Sequence, residues 1–363
     1  MGSGMRSEAI ELLRELTEAH GVPGHEDAVR AIFRRRLEGM GKVRTDRLGS
    51  IVCEREGPVG GPRVLVAGHC DEVGFAVQQI TPRGFVKLVA LGGWWTHTLV
   101  AQRVRILTRS GREVLGVIGS TPPHFLAEGQ RDKVMGLEQM YVDIGAGSRE
   151  EAEAFGVALG DPVAPDSAFT AMAHPELFLA KAFDNRVGMA AAIQSMRDLA
   201  GRSLPCALLA AGSVQEEVGC RGAETLGALV QPDVALVMEG TPADDTPGMD
   251  LAESQGRLGG GVQIRVLDPT AIMNRRLVDF VVGVAREAGI PHQVGVRRSG
   301  GTDAKSLQFT GNGVPCVVLG TPSRYIHSHN SLLHLGDYLS AVRLVNEVVP
   351  KLDAATVASF TDW

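Results

Sequence analysis

The sequence predicts an α/β fold: a three-layer α/β/α arrangement around a mostly parallel mixed sheet, interrupted by a small β-rich, barrel-like insertion. Along most of the chain, short apolar runs typical of buried strands alternate with segments of helical periodicity. Over 73–164, short runs of glycine and β-branched residues are separated by turn signals, as in a small barrel or sandwich. The 363 residues also exceed what one hydrophobic core usually supports. We therefore expect a discontinuous α/β domain of residues 5–72 and 165–363 around the inserted domain.

Before the insertion, the pattern predicts two helices and three strands. The first helix is amphipathic and is ended by Gly21 and Pro23. Residues 1–4, Met-Gly-Ser-Gly before a second methionine, are interpreted as a cloning remnant outside the fold. Helices are expected over 7–20 and about 26–37, and strands around Val43, around Ile51 and over 63–67.

After the insertion, strands and helices alternate again. In open α/β sheets, ligands bind outside the carboxyl ends of the strands. We therefore expect the residues that follow these strands to lie at one edge of the sheet. Strands are expected over 178–180, 206–211, 234–238, 262–266 and, as the last one, 316–319, with helices near 149–155 and over 184–199, 274–288 and 336–352.

Composition excludes several classes of function. Hydrophobic residues make up 44% and charged residues 21% of the chain, which is ordinary for a globular protein. The net charge of −6, with no basic stripe, argues against a nucleic-acid partner. No apolar stretch reaches about 18 residues, so no membrane span is expected. The five cysteines are scattered without a CxxC pair, which predicts a reducing, cytoplasmic environment.

Two adjacent carboxylates, Glu216 and Glu217, directly follow an apolar run. A carboxylate at the end of a buried strand must be paired, protonated or bound to a metal. Neighbouring side chains on an extended backbone point to opposite faces. One glutamate can therefore hold a metal while the other handles a proton. A solvated loop after a strand is the alternative that this stretch alone leaves open.

Four further side chains occupy comparable positions. His69 and Glu239 come just past the ends of predicted strands, His327 follows the last strand, and Asp184 opens a helix. In a His-x-Asp pair such as His69 and Asp71, the histidine can bind a metal while the carboxylate orients it. Taken singly, a structural histidine at 69 and a helix cap at 184 are the better interpretations.

Taken together, two histidines and three carboxylates, with a fourth carboxylate free, form a mixed nitrogen and oxygen set. Such a set suits Zn²⁺, Co²⁺ or Mn²⁺. Five protein ligands exceed what one hydrolytic ion needs, but they fit two ions about 3.5–4 Å apart that share one carboxylate. The convergence of these residues on one edge therefore predicts a site for two divalent metal ions.

The chain also resembles the tetrahedral aminopeptidases, or glutamyl aminopeptidases, of the clan MH metallopeptidases. Some members of that family carry cellulase or endoglucanase names. The resemblance covers nearly the whole chain and implies an α/β/α catalytic domain, a β-rich dimerisation domain, two bound metal ions and a homo-oligomer, at least a dimer and in this family a tetrahedral dodecamer. It is carried, in chain order, by HCDEVGFAV, LGGWW, GVIGSTPPH, DIGAGS, AFDNRVG, QEEVGCRGA, DDTPG, GGTDA and RYIHS.

The resemblance also implies a role for each site residue. Asp184 would bridge both metal ions; Glu217 and His327 would complete one of them, and His69 and Glu239 the other. Glu216 would be the general base and acid, and Asp71 would orient His69. The bond between Asp184 and Asn185 is a candidate cis peptide. Where the family usually has aspartate this chain has Glu239, whose longer side chain could shift or weaken the second metal. Two histidines, His329 and His334, rival His327, which the RYIHS motif favours.

The predicted activity is removal of N-terminal residues from short peptides by attack of a metal-activated water. Arg324 and the loop 301–303 are candidates for the wall that receives the first side chain, although either could be purely structural. A metal-dependent amidase or deacylase on the same scaffold is the closest rival, because fold and metals do not fix the substrate. A cellulase would need two carboxylates roughly 5–10 Å apart and would survive chelation. A non-catalytic assembly scaffold is weakened by the presence of Glu216.

Overall fold

The fold consists of a large mixed sheet with helices packed against it and a separate closed barrel. It is described by a computed structural model for residues 3–129, 131–250 and 254–362. The helices are α1 Ser3–Glu18, α2 Asp27–Arg36, α3 Arg149–Ala154, α4 Phe183–Asp198, α5 Arg221–Val230, α6 Arg275–Glu287, α7 Ala304–Leu307, α8 Leu335–Val348 and α9 Ala354–Ser359. The strands are β1 Lys42–Thr45, β2 Ile51–Arg55, β3 Arg63–His69, β4 Gly74–Ile80, β5 Val86–Leu91, β6 Arg103–Leu107, β7 Glu113–Gly119, β8 Tyr141–Asp143, β9 Pro162–Pro165, β10 Thr170–Ala171, β11 Leu177–Ala180, β12 Ala207–Ser213, β13 Val234–Pro242, β14 Val262–Asp268, β15 Ala271–Ile272, β16 His292–Val296, β17 Cys316–Arg324 and β18 Ser331–His334.

The sheet runs in the order β1-β2-β12-β3-β13-β17-β18-β11-β10, and β14 pairs with β17 and carries β15 and β16. Its four central strands, β12, β3, β13 and β17, are parallel. Every residue of β12 is buried, as expected for a strand covered on both faces. Helix α4 packs against β3, β12 and β13. Because the central strands are parallel, their carboxyl ends lie at one edge of the sheet.

The inserted segment folds into a closed barrel in the order β4-β5-β8-β7-β6-β9, in which every pairing is antiparallel. Closure leaves no unpaired strand edge. The barrel has its own apolar core, distinct from that of the sheet, and Phe75, Val104, Ile106, Ile118 and Val142 are fully buried in it. The predicted α/β class with a β-rich, barrel-like insertion is therefore confirmed.

Several details of the sequence prediction were wrong. The outer strands β1, β2, β10, β11 and β18 pair antiparallel, and the parallel pairings are those of the four central strands and of β14 with β16. The strand over 316–319 is not the last, because β18 follows it; a four-residue strand carries too short a pattern to be detected. The closing helix ends at Val348 rather than 352, because Pro350 cannot donate a helical hydrogen bond.

The chain ends also differ from the prediction. Helix α1 begins at Ser3, four residues earlier than expected and within the stretch interpreted as a cloning remnant. The short helix α9 was not predicted; Asp353 caps it by accepting a hydrogen bond from the Thr356 amide at 2.8 Å. Among the described residues, none of the helices has the length and apolar character needed to cross a membrane.

Candidate metal centre

All the predicted metal ligands lie at the carboxyl edge of the parallel strands. His69 is the last residue of β3, and Glu239 lies within β13. Both were expected just past a strand end, and both are instead inside the strand. Glu216 and Glu217 follow β12, His327 follows β17, and Asp184 is the second residue of α4.

One group of donor atoms is formed by His69, Asp184 and Glu239. The Nε2 atom of His69 lies 3.2 Å from Oδ1 of Asp184 and 3.5 Å from Oε1 of Glu239. A second group is formed by Asp184, Glu217 and His327. Here Nε2 of His327 lies 3.3 Å from Oδ2 of Asp184 and 3.4 Å from Oε2 of Glu217. Asp184 thus belongs to both groups and turns one oxygen toward each.

The carboxylates of this cluster outnumber its histidines, so the site carries an excess of negative charge that cations can neutralise. Burial raises the pKa of Glu217 to about 8 and that of Glu239 to about 7, and it raises the pKa of Glu216 well above its ordinary range. Two buried carboxylate oxygens, Oε1 of Glu217 and Oε2 of Glu239, have no hydrogen-bond partner. Buried carboxylates of this kind must be protonated, paired or bound to a metal.

The two histidines respond in the opposite direction to the same crowding. Burial alone would lower their pKa, but the facing carboxylates raise the pKa of His327 to about 9 and raise that of His69 as well. Burial would likewise raise the pKa of Asp184, but hydrogen bonds from His327 and His69 lower it. Two imidazoles cannot neutralise four carboxylates. The nitrogen and oxygen donors and the unpaired oxygens therefore fit divalent metal ions.

Main-chain carbonyls fix the far side of each histidine ring. Nδ1 of His69 lies 3.0 Å from the main-chain oxygen of Asp71, and the Asp71 carboxylate is farther, at 3.5 Å. Nδ1 of His327 lies 2.9 Å from the main-chain oxygen of Gly93, in the LGGWW segment that follows β5. When Nδ1–H donates to a carbonyl oxygen in this way, Nε2 is left free to bind a metal. The barrel segment therefore helps to position His327, and no local sequence pattern predicts this contact.

The carboxylate of Asp71 binds the turn that follows β12. Its Oδ1 and Oδ2 atoms accept hydrogen bonds from the main-chain amides of Glu216 and Glu217, each at 3.0 Å. One buried side chain therefore holds the turn that carries both glutamates.

Several residues around the site have positive φ angles. Gln215, which precedes Glu216, has a φ of +56°, a conformation that is uncommon outside glycine. Ala182, Cys220, Tyr325 and His327 also have positive φ, so strained residues are concentrated around the site.

Glu216 lies beside Cys220 and Asp303, to which the sequence analysis assigned no role next to this carboxylate. Its Oε1 atom accepts a hydrogen bond from the Cys220 thiol at 3.3 Å, and its Oε2 atom lies 3.8 Å from Nε2 of His69. Asp303, from the GGTDA segment, accepts a hydrogen bond from the Ser213 hydroxyl, and burial raises its pKa to about 6. Cys220 and Asp303 belong to segments quoted for the resemblance, but only the tertiary contacts reveal their positions beside Glu216.

The rival histidines lie away from these groups. His329 packs beside Trp94, with ring centroids 5.7 Å apart, and burial lowers its pKa to about 4. His334 ends β18, and its Nδ1 atom lies 3.9 Å from Asp337. Neither belongs to a metal-binding group among the described residues. The peptide bond between Asp184 and Asn185 is cis, as expected.

A buried ion cluster lies beneath the site. Both Lys181 and Arg186 donate hydrogen bonds to Oε1 of Glu72, and Arg186 also donates to the main-chain oxygens of Leu16 and Gly21. Burial lowers the pKa of Lys181 to about 8. These contacts tie the segment after β3 and the start of α4, which carry Asp71 and Asp184, to helix α1.

Gly240 sets how closely β13 approaches Asp184. A Cβ atom at residue 240 would lie 2.7 Å from Cα of Asp184 and 2.8 Å from the main-chain oxygen of Phe183. Because both contacts are to main chain, Gly240→Ala must displace the shared ligand. We expect this variant to bind less metal and to lose about 100-fold in kcat/KM, since small displacements of reacting groups have effects of this size.

Elemental analysis and steady-state kinetics measure both effects. Gly283→Ala is the matched control, because a Cβ atom at that position in α6 meets nothing within 4 Å. Full activity and metal content in Gly240→Ala would show that the close approach to Asp184 is not required.

The site opens into a cavity of about 410 Å³. One part of its wall is formed by the predicted metal ligands and Glu216. Another part carries three basic side chains, Arg265, Arg297 and Lys305. Arg324, a sequence candidate for this wall, instead forms a two-pronged ion pair with Asp245, at 2.6 and 2.8 Å.

Comparisons with known proteins agree that the chain is similar to aminopeptidases of one family. A family model described as M42 glutamyl aminopeptidase matches residues 49–344. A lysyl aminopeptidase from Pyrococcus furiosus is 33% identical over 348 residues, which are 94% of this chain and 97% of that protein.

Two solved structures share the fold over nearly their full lengths. A TET aminopeptidase from a Thaumarchaeota archaeon of marine sediment has a TM-score of 0.95 and 41% identity, covering 98% of this chain and 100% of that one. The Pyrococcus horikoshii TET1 peptidase, which can assemble into a tetrahedron or a large octahedral shell, has a TM-score of 0.84 and 30% identity, covering 95% of this chain and 100% of that one.

Proposed function

The chain belongs to the M42 glutamyl aminopeptidase family, and from this premise we propose that it is a dinuclear metal-dependent aminopeptidase that removes N-terminal residues from short peptides. Its membership supports a metal-dependent aminopeptidase in general. The observation that carries the finer proposal is the position of Asp184, which turns one carboxylate oxygen to each of two donor groups beside Glu216.

We assign one ion to His69, Asp184 and Glu239 and the other to Asp184, Glu217 and His327. Two imidazoles with three carboxylates suit Zn²⁺ or Co²⁺, and Mn²⁺ is also compatible. Glu239 retains the function of the family's usual aspartate, because its Oε1 atom reaches His69 and its Oε2 atom is left unpaired for a ligand. When bound, such ions polarise the scissile carbonyl and lower the pKa of the attacking water.

The protein's own groups then handle the proton. The Cys220 thiol holds Oε1 of Glu216, which leaves Oε2 directed toward the centre. We assign Glu216 to accept the proton of the attacking water and to deliver it to the leaving amine, a transfer that is typically worth about 10²–10⁴-fold. Asp71 is a positioning residue: its carboxylate fixes the Glu216–Glu217 turn, and its main-chain oxygen fixes the ring of His69.

Chelation and metal addition test this function. Hydrolysis of a panel of aminoacyl-p-nitroanilides is expected to fall to background after the protein is stripped of metal, and to return with Zn²⁺, Co²⁺ or Mn²⁺. N-acetylated versions of the same substrates are the control, because an aminopeptidase needs a free amine. Turnover by metal-free protein would contradict the proposal. Release of acetate, rather than of p-nitroaniline, from the N-acetylated substrates would assign the site to a deacylase.

We also propose that the chain forms a homo-oligomer through its barrel, at least a dimer and, like its tetrahedral relatives, a dodecamer. Apolar side chains are exposed on this domain: Phe125 is 80% exposed, Leu115 55% and Val89 46%. The assembly named for the Pyrococcus horikoshii relative supports the larger state. Five unpaired cysteines support a reducing compartment such as the cytoplasm.

A further inference from the structure

A second cavity, of about 540 Å³, adjoins the metal cavity at His327. His327, Gly93 and Ile326 line both cavities, so the two share part of their walls. The rest of the second wall comes from the segment after β5 and from the loop between β17 and β18. We call it the aromatic cavity, after the exposed rings described below. A peptide bound at the metal ions can therefore extend into either cavity.

The two adjacent tryptophans of the LGGWW segment have different surroundings. Trp94 stacks on Phe75 of the barrel core, with ring centroids 4.8 Å apart, and its Nε1 atom donates to the main-chain oxygen of Gly74 at 3.0 Å. Trp95 lines the aromatic cavity and is 66% exposed, and its ring meets that of His97 with centroids 4.8 Å apart. Trp94 therefore fixes the segment to the barrel, while the ring of Trp95 is presented to the cavity.

A second exposed ring in this wall belongs to Tyr325, which directly follows β17 and is 55% exposed. Its φ of +60° is uncommon for a residue with a side chain. The main-chain oxygen of Tyr325 accepts hydrogen bonds from the hydroxyls of Ser328 and Ser331, at 2.6 and 3.2 Å, which hold the loop. The same loop carries the predicted metal ligand His327. Constrained backbone of this kind is concentrated at functional sites.

The wall of the aromatic cavity is apolar and carries little charge. Trp95, Tyr325 and Val100, which is 42% exposed, all line it. None of its lining residues in the described part of the chain is an aspartate, glutamate, lysine or arginine. Burial lowers the pKa of the lining residue His329 to about 4, so this histidine is neutral near pH 7. Exposed apolar patches mark binding sites, and this one suits an uncharged apolar group.

The walls of the two cavities also differ in exposure. In the metal cavity, Arg265 and Arg297 are only 3% and 7% exposed, whereas Trp95 and Tyr325 are more than half exposed. An aminopeptidase holds the one residue before the scissile bond and must let the rest of the peptide extend toward solvent. The first residue therefore fits the more buried metal cavity. The second residue is then directed past His327 into the aromatic cavity.

We propose that the aromatic cavity binds the side chain of the substrate's second residue, the one after the scissile bond, and that Trp95 makes the enzyme prefer an aromatic or large apolar residue there. This inference rests on the aminopeptidase function proposed above. The indole offers a large apolar face to such a side chain, and paired aromatic rings gain more than the area they bury. Selection of the first residue is a separate property of the metal cavity.

Dipeptide amides test this preference in the metal-loaded wild-type protein. In X-Phe-NH₂ and X-Gly-NH₂, X is the first residue that is released fastest in the p-nitroanilide panel, and the amide removes the C-terminal carboxylate. We expect kcat/KM for X-Phe-NH₂ to exceed that for X-Gly-NH₂ about 10-fold or more, because full burial of a phenylalanine side chain has at least this effect. X-Asp-NH₂ and X-Lys-NH₂ should both be poorer substrates than X-Phe-NH₂. Equal rates for the phenylalanine and glycine substrates would overturn the proposal.

The Trp95→Ala variant tests whether this cavity is the source of the preference. Its ratio of kcat/KM for X-Phe-NH₂ to that for X-Gly-NH₂ should fall to within about threefold of one, since most of the apolar face is removed. Phe309→Ala is the matched control and should keep the wild-type ratio, because Phe309 is 76% exposed and lines neither cavity. An unchanged ratio in Trp95→Ala would overturn the proposal. Equal losses on both substrates with a smaller assembly in size-exclusion chromatography would assign Trp95 to a subunit contact and would also overturn it.

The Val100→Asp variant gives a test that misfolding cannot imitate, because the expected result is a gain. A carboxylate in the aromatic cavity should raise kcat/KM for X-Lys-NH₂ relative to X-Phe-NH₂ about fivefold or more, since opposite charges about 4 Å apart attract to this extent even in water. Val59→Asp is the control, because Val59 is an exposed residue that does not line the cavity. If Val100→Asp gave no such rise, the second side chain would have to bind elsewhere.

The outcomes separate this inference from the function on which it rests. Metal-loaded protein that hydrolyses free-amine dipeptide amides at rates independent of the second residue refutes the role of the aromatic cavity and leaves the aminopeptidase intact. Metal-loaded protein that hydrolyses none of the free-amine substrates refutes the aminopeptidase function and this inference with it.

Discussion

The Glu216→Gln variant is expected to lose turnover while keeping both metal ions. Glutamine preserves the size of the side chain and can still meet the Cys220 thiol, which lies 3.3 Å from Oε1 in the native protein. It cannot accept a proton from the attacking water or return one to the leaving amine. General acid–base transfer of this kind is typically worth about 10²–10⁴-fold, so kcat should fall by at least that factor.

The measurement combines steady-state kinetics with elemental analysis of the same preparation. Glu224→Gln is the matched control, because Glu224 is an exposed residue of α5 and does not line the metal cavity. It should retain wild-type activity. An active Glu216→Gln enzyme would refute the assignment of Glu216 as base. An inactive enzyme that has also lost its metals would instead make Glu216 a ligand.

The Asp184→Asn variant is expected to lose both metal ions, because Asp184 is the residue common to the two donor groups. Its Oδ1 atom faces His69 and its Oδ2 atom faces His327, at 3.2 and 3.3 Å. An amide has no charge to neutralise two cations and presents one of them with an NH₂ group. Activity should fall to the background of the metal-free protein.

Single-ion variants provide the comparison. Glu217→Gln and Glu239→Gln each alter one donor group and should each weaken the binding of one ion. Asp279→Asn is the control, since Asp279 is 71% exposed on α6. Metal content per protomer, measured against a range of free Zn²⁺, distinguishes the three cases. If Asp184→Asn lost only one ion, the shared-ligand arrangement would be incorrect.

Much of the site could be predicted because three of the five ligands, His69, Glu217 and Glu239, come just after an apolar run in the sequence. Parallel strands bring their carboxyl ends together whatever the lengths of the intervening segments, so His69, Glu217 and Glu239 are brought together by topology. His327 and Asp184 required the resemblance as well, because a histidine in a loop and an aspartate at a helix start have common structural explanations.

The rest could not be predicted because it depends on distant contacts. The main-chain oxygen of Gly93 reaches His327 across more than 230 residues of sequence, and no local pattern records such a contact. The two amides bound by the Asp71 carboxylate belong to the turn after another strand. Arg297 is distinguished by its burial in the wall of the metal cavity, a property that the sequence does not display.

The antiparallel margins of the sheet were missed for a different reason. The strand β18 has only four residues, Ser-Leu-Leu-His, in which polar and apolar residues do not alternate. Its pairing with β11 and β17, rather than its own sequence, therefore makes it a strand. Short strands of this kind depend on context more than on residue preference.

The most direct test of the dinuclear site is anomalous diffraction at the zinc absorption edge from crystals of the Zn²⁺-loaded protein. Two peaks per protomer are expected, one between His69 and Glu239 and the other between Glu217 and His327, with Asp184 in contact with both. A single peak, or two peaks of which one lies away from Asp184, would contradict the arrangement on which the proposed mechanism depends.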